Sequence, residues 1–251
     1  GAGHMPRALW DGGLAEGVLR AVEELPDLHT VHVALLMASL ELRQPQALLQ
    51  ELAEQLELRA PALGPTGLAG AAMALSQLGP WAGPPPCAGL AAELQARAGE
   101  LSPRELSAAA LAAATLGAEG QPFWLSIHSA LLARVADLQP RHVADTLLAL
   151  ATNQLFPIFL LEALQDRLPF VVGEMDPGEA LTSLWALCAM RLFPKRAAVQ
   201  LLEQVCPADV PLADLGMLLS LEEARQLRQV LLSLDMEPGA AAVRTEVPPT
   251  L

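Results

Sequence analysis

The sequence predicts an all-α protein, an α-solenoid of about five stacked helical hairpins of 37–38 residues with a C-terminal cap. Three observations predict it. The stretch "LSPRELSAAALAAATLG", Leu101 to Gly117, is echoed by "LQPRHVADTLLALATNQ", Leu138 to Gln154, and by "MDPGEALTSLWALCAMR", Met175 to Arg191. The prolines anchoring these copies, Pro103, Pro140 and Pro177, stand 37 residues apart, and two upstream steps of 38 reach Pro65 and Asp27. No stretch alternates Val, Ile or Tyr with polar residues at period two, so strands have no signal. One such hairpin cannot bury its apolar faces alone, whereas stacked neighbours bury them continuously.

Each segment follows from this spacing. Gly1 to Met5, "GAGHM", reads as an expression scar outside the fold. Residues 6–26 are expected to form an N-terminal capping helix. Repeats are expected over 27–64, 65–102, 103–139, 140–176 and 177–206. Pro or Asp opens each one, Pro because a first helical turn tolerates it and Asp because it caps a helix start. About 14 residues with apolar groups three to four apart follow, such as Val143, Leu147, Leu148 and Leu150, or Ala180, Leu184, Trp185 and Leu187. A break follows, marked by Gly79, Gly117, Pro157 or Pro194. Second helices are expected over Gln46–Leu58, Ala88–Ala98, Phe123–Val135, Ile158–Leu168 and Lys195–Val205. "GPPPC", Gly83 to Cys87, reads as a stiff loop. Residues 207–236, with an anchor at Asp214, read as a degenerate capping repeat, and 237–251 as a tail too poor in apolar groups to pack.

Composition narrows the function. The chain is 53% hydrophobic and 17% charged with a net charge of −13, and no stretch forms the basic patch usual in nucleic-acid binding. Cys87, Cys188 and Cys206 are odd in number and widely spaced, which favours a reducing compartment over a disulfide framework and gives no zinc-ligand spacing. No uninterrupted apolar run reaches the ~18 residues of a membrane span. No glycine-rich phosphate loop or credible carboxylate pair is present, so the expectation is no enzyme, cofactor, metal or catalytic residue. His29 and His32 share a helix face without a third ligand. His128 with Ser126 or Ser129 lacks an orienting acid. Asp137, Arg141 and Asp145 read as a solvated ladder, and Trp124 and Trp185 as core residues.

The repeats differ in their polar residues. Counting the anchor as zero, offsets one, five and twelve fall within about 40° on a helix. These columns hold Leu28, His32 and Ser39; Thr66, Gly70 and Gln77; Arg104, Ala108 and Thr115; Arg141, Asp145 and Thr152; and Gly178, Thr182 and Ala189. The expected binding face comprises His32, Gln77, Arg104, Thr115, Arg141, Asp145, Thr152 and Thr182. Helical-repeat RNA readers use two or three side chains per base, and Arg141, Asp145 and Thr152 could form such a set. The plainer reading is the polar outer face that any amphipathic helix carries. Arg104 and Arg141, at the same offset, are expected to project as a short basic row. The alanines at offset nine, Ala74, Ala112, Ala149 and Ala186, suit either an open groove or a tight helix contact.

The hairpin of "LSPRELSAAALAAATLG" and "LTSLWALCAM" resembles the octotricopeptide and heptatricopeptide repeats of organellar proteins. It is also similar to the helical region of FAST-kinase-domain proteins of the RAP type. Pro103, Glu105, Leu106, Ala113 and Gly117 match the repeat pattern in one unit, and Trp185, Ala186 and Leu187 in another, over roughly Asp27 to Cys206. The resemblance implies binding of single-stranded RNA in a mitochondrion or chloroplast, in RNA processing, stability, translation or ribosome assembly. The competing expectation is a protein-binding scaffold, a subunit of a larger assembly without RNA contact. The acidic charge favours it, because phosphate neutralisation dominates nucleic-acid affinity.

Overall fold

The computed structural model describes residues 24–40, 46–79, 87–117, 120–206 and 219–244, together with Gly17. Among them every regular element is a helix and no strand occurs. The helices are α1 (Asp27–Ser39), α2 (Gln46–Arg59), α3 (Pro65–Leu78), α4 (Ala88–Ala96), α5 (Pro103–Leu116), α6 (Gln121–Ala133), α7 (Pro140–Thr152), α8 (Ile158–Val171), α9 (Pro177–Ala189), α10 (Lys195–Val205), α11 (Leu221–Met236) and α12 (Ala241–Arg244). The five sequence anchors are each the first residue of a helix. Asp214, residues 1–5, most of 6–26, Gly83 to Pro86 and the expected tail from 245 on lie outside the described residues. The part of that tail over 237–244 corrects the sequence reading: it turns into α12 and packs, because Ala240 and Val243 are fully buried.

Packing divides the chain into two compact units, residues 1–130 and 131–251, with the division inside α6. In the first unit α1 packs on α3 and α3 on α5, while α2 packs on α4. Its core includes Leu48, Leu52, Leu56, Leu68, Leu75, Leu90, Leu94 and Leu106. In the second unit α7 packs on α9 and α9 on α11, α8 packs on α10, and α12 closes on α10 and α11. Leu147, Leu150, Leu160, Leu164, Leu184, Leu187 and Leu201 fill its core.

Three of the helix starts are fixed by capping boxes, in which an N-cap oxygen and a residue three positions on satisfy each other's exposed amides. Ser102 with Glu105, Asp176 with Glu179 and Ser220 with Glu223 form them. At α7 the Gln139 amide donates to His142 Nδ1 at 3.3 Å. Gly117 ends α5 at φ 67°, a left-handed cap that suits glycine. Asp27 corrects the sequence reading. Pro26 holds the N-cap position, and Asp27, already helical, places its carboxylate 3.7 Å from the Arg59 guanidinium.

A repeated device joins the end of a hairpin to its beginning. After α2, α4, α6 and α8 the chain makes a 3-10 turn, then one extended apolar residue: Leu63, Leu101, Leu138 or Met175. These four side chains are buried. Leu63, Leu101, Leu138 and Met175 each precede a helix cap, and at Leu63, at Leu138 and at the equivalent Leu25 the carbonyl accepts from arginine. Arg59 donates to Leu25 at 2.9 Å, Arg97 to Leu63 at 2.6 Å and Arg167 to Leu138 at 3.3 Å. Charged donors make the stronger class of hydrogen bond.

Candidate binding face on the first helices

Within each unit the first helices turn their variable columns outward. Offset one is exposed at Leu28, Thr66, Arg104 and Arg141, and offset twelve at Ser39, Gln77, Thr115, Thr152 and Ala189. Offset five is exposed at His32 and half-buried at Gly70, Ala108, Asp145 and Thr182. Of the eight expected site residues, the structure brings His32, Gln77, Arg104 and Thr115 onto α1, α3 and α5 of the first unit. Arg141, Asp145, Thr152 and Thr182 lie on α7 and α9 of the second.

Several of these polar groups are already engaged. The hydroxyls of Ser39, Thr115 and Thr152 donate back to their own helices, to Leu36 at 2.9 Å, Leu111 at 2.9 Å and Leu148 at 2.8 Å. The Arg141 guanidinium lies 3.7 Å from Asp145 one turn on. Burial pushes the Asp145 carboxyl up; Arg141 opposes this and Glu179 on α9 adds to it. Thr66 donates to Glu105 on the next first helix at 2.6 Å. Burial pushes Glu105 up, but hydrogen bonds from Thr66 and Ser102 and the nearby Arg104 outweigh it and hold the carboxyl below its usual range. A side chain begun at Gly178 would stand 3.4 Å from Glu223 of α11. The capping glutamates thus stand beside outward positions of the preceding first helix: Glu105 beside Thr66 in the first unit, and Glu179 beside Asp145 and Glu223 beside Gly178 in the second.

The sequence reading missed a fourth column. Offset eight holds Leu35, Met73, Leu111, Leu148 and Trp185, all apolar and all half-buried. At about 100° per residue it falls beside offset one, on the same face as the polar columns. The face therefore has an apolar spine between polar flanks, a signal already present in the register of the repeats. Gly70 helps form it, since a Cβ there would lie 3.0 Å from Val31 and 3.6 Å from Leu35 of α1. Trp185 corrects its expected core place: it is half-buried, and its Nε1–H donates to Gln229 of α11 at 2.6 Å. The offset-nine alanines Ala74, Ala112, Ala149 and Ala186 are fully buried, which makes them helix contacts and not a groove floor.

His29 and His32 meet edge to face at 6.2 Å, and among the described residues no group of three or more His, Cys, Asp or Glu could hold a metal ion. His128 packs on Trp124 at 5.6 Å, and burial depresses its pKa to about 4. Trp124 is buried. Burial raises all three thiols, Cys188 to about 12, with Glu57 adding to the effect at Cys87; thiolate, the nucleophilic form, is thus disfavoured. Among the described residues no helix is long and apolar enough to cross a membrane. No family model matches the chain, and no curated protein matches it.

Proposed function

We propose that the chain is a non-enzymatic helical-repeat scaffold whose hairpins stack as in an α-solenoid, and that the first-helix face binds a protein partner. The observation that carries this reading is the apolar spine of Leu35, Met73 and Leu111 within the first unit; Leu148 and Trp185 hold the same column within the second. Half-exposed apolar groups flanked by polar ones are the makings of a protein interface. The disposition of cations supports it. Arg59, Arg97 and Arg167 serve backbone carbonyls, and Arg141, Arg191 and Arg225 lie within 3.7 Å of acids. The capping carboxylates, Glu105 in the first unit and Glu179 with Glu223 in the second, are poor neighbours for phosphate.

The RNA reading rests on the likeness to octotricopeptide repeats and on the exposure of Arg104. One experiment separates the two. A photo-crosslinking residue at Leu111, with a control at Glu54, reports whether the face meets protein or RNA in cell extract. The expected result is a protein adduct at Leu111, absent at Glu54 and lost with Met73→Asp. An RNA adduct, or low-salt affinity for single-stranded RNA that falls tenfold with Arg104→Ala plus Arg141→Ala, overturns the proposal.

A further inference from the structure

The second helices carry a separate feature. On α8, Leu160, Leu161, Leu164, Leu168 and Val171 are buried, and the helix packs on α7, on α10 and on the turns Val135–Asp137 and Val172–Glu174. The opposite side holds Phe159, Glu162, Asp166 and Phe170, all exposed. At about 100° per residue these four span roughly 80° of the helix, one outward stripe. Phe159 is 76% and Phe170 77% exposed, and at the Phe159 end Phe156 is 56% and Ile158 66% exposed. Single exposed apolar residues are ordinary, but this chain has five phenylalanines and places three of them here. Phe159 and Phe170 stand about 16 Å apart along the axis, with the two carboxylates between them. The only cation of the helix, Arg167, donates instead to the Leu138 carbonyl at 3.3 Å.

From this geometry we infer that the outward face of α8 docks a basic amphipathic helix of another protein. The matching helix carries apolar residues about eleven positions apart, to seat on Phe159 and Phe170, with Lys or Arg between them facing Glu162 and Asp166. Charge complementarity selects this occupant. A second copy seated stripe on stripe would bring four carboxylates together, and the chain's net charge of −13 disfavours self-association. A lipid surface would take the phenylalanines but not the acids between them. The inference does not depend on the first-helix face.

The test uses the full chain and three labelled 18-residue helical peptides in fluorescence anisotropy. The first has Leu at two positions eleven apart with Lys between them on the same face. The second replaces those Lys by Glu, and the third has the composition of the first with Leu and Lys scrambled. The first peptide is expected to bind at least about tenfold more tightly than either control. Phe159→Ser plus Phe170→Ser should weaken it by a similar factor. Glu162→Gln plus Asp166→Gln should weaken it and flatten its salt dependence, and Met73→Asp should leave it unchanged. Circular dichroism of the variants confirms that they fold. Equal binding of the designed and scrambled peptides, or of parent and double-phenylalanine variant, overturns the inference. So does Phe159-dependent binding to neutral phosphatidylcholine vesicles, or Phe159-dependent dimerisation in sedimentation.

Discussion

Replacing Arg97 by methionine removes a guanidinium while keeping a stem of similar length, so packing is largely spared and, besides the exposed pair with Glu100, one hydrogen bond to a buried carbonyl is lost. That bond joins Arg97 Nη1 to the Leu63 carbonyl at 2.6 Å, and Leu63 is only 2% exposed. A hydrogen bond to a charged partner contributes about 1.5–3 kcal/mol, and a carbonyl left without a donor in a buried setting adds its own desolvation. The Arg97 pair with Glu100 at 3.0 Å adds less than ~1 kcal/mol, because Glu100 is 59% exposed. The expected loss is about 2–3 kcal/mol, or roughly 4–12 °C in Tm for a chain of this size. Urea unfolding followed at 222 nm measures it. Glu100→Gln should stay within about 1 kcal/mol of the parent. Arg104→Met, at an exposed position, should cost less than about 0.5 kcal/mol. If Arg97→Met costs no more than Arg104→Met, the clamp between hairpin end and hairpin start contributes nothing and the reasoning fails.

Two further outcomes follow from the packing. Trp185→Ala should cost about 1.5–2.5 kcal/mol in denaturant unfolding, below the 3–5 kcal/mol of a fully buried aromatic, because Trp185 is half-buried; a loss above 3 kcal/mol would put it in the core after all. His128, with a pKa of about 4 in the folded chain against an ordinary 6.5, should make folding weaken as pH falls from 6.5 towards 4. The unfolded state there binds a proton that the folded state refuses, so the stabilising neutral form is fully present only above 6.5. With solvent screening of this half-buried ring the effect is about 1–2 kcal/mol, and urea midpoints of parent and His128→Gln at pH 7 and 5 should diverge accordingly.

Helix starts were legible because proline and the capping boxes are local chemistry. Pro103 fixes its own φ, and Ser102 with Glu105 satisfies amides within three residues, so neither needs a tertiary partner to be read. Asp27 misled for the same reason: its type suits a cap, but Pro26 took that position and Arg59, far along the chain, took the carboxylate. The arginine clamps were illegible because they join residues 29 to 34 positions apart to a backbone carbonyl, which has no side-chain signature. Trp185 misled through hydrophobicity alone; its indole N–H had a partner on α11, Gln229, that no periodicity could name. The offset-eight column is legible in the register alone: its residues are apolar like the core, but their angular position sets them beside offset one on the outward face.

The electrostatics of the candidate face follow from the same local chemistry. A capping box places a carboxylate in the third helical position, where it answers the helix's own amides and the positive end of its dipole. In a stack of parallel first helices that carboxylate also stands beside the outward residues of the preceding helix, as Glu105 does with Thr66 and Glu179 with Asp145. The acids that start the helices thus also charge one edge of the face. A phosphate chain laid across that edge would have to displace the Thr66–Glu105 hydrogen bond or approach a carboxylate held below its usual pKa. A protein segment meets no such obstacle: its amides and cations suit the carboxylates, and its apolar side chains suit Leu35, Met73 and Leu111.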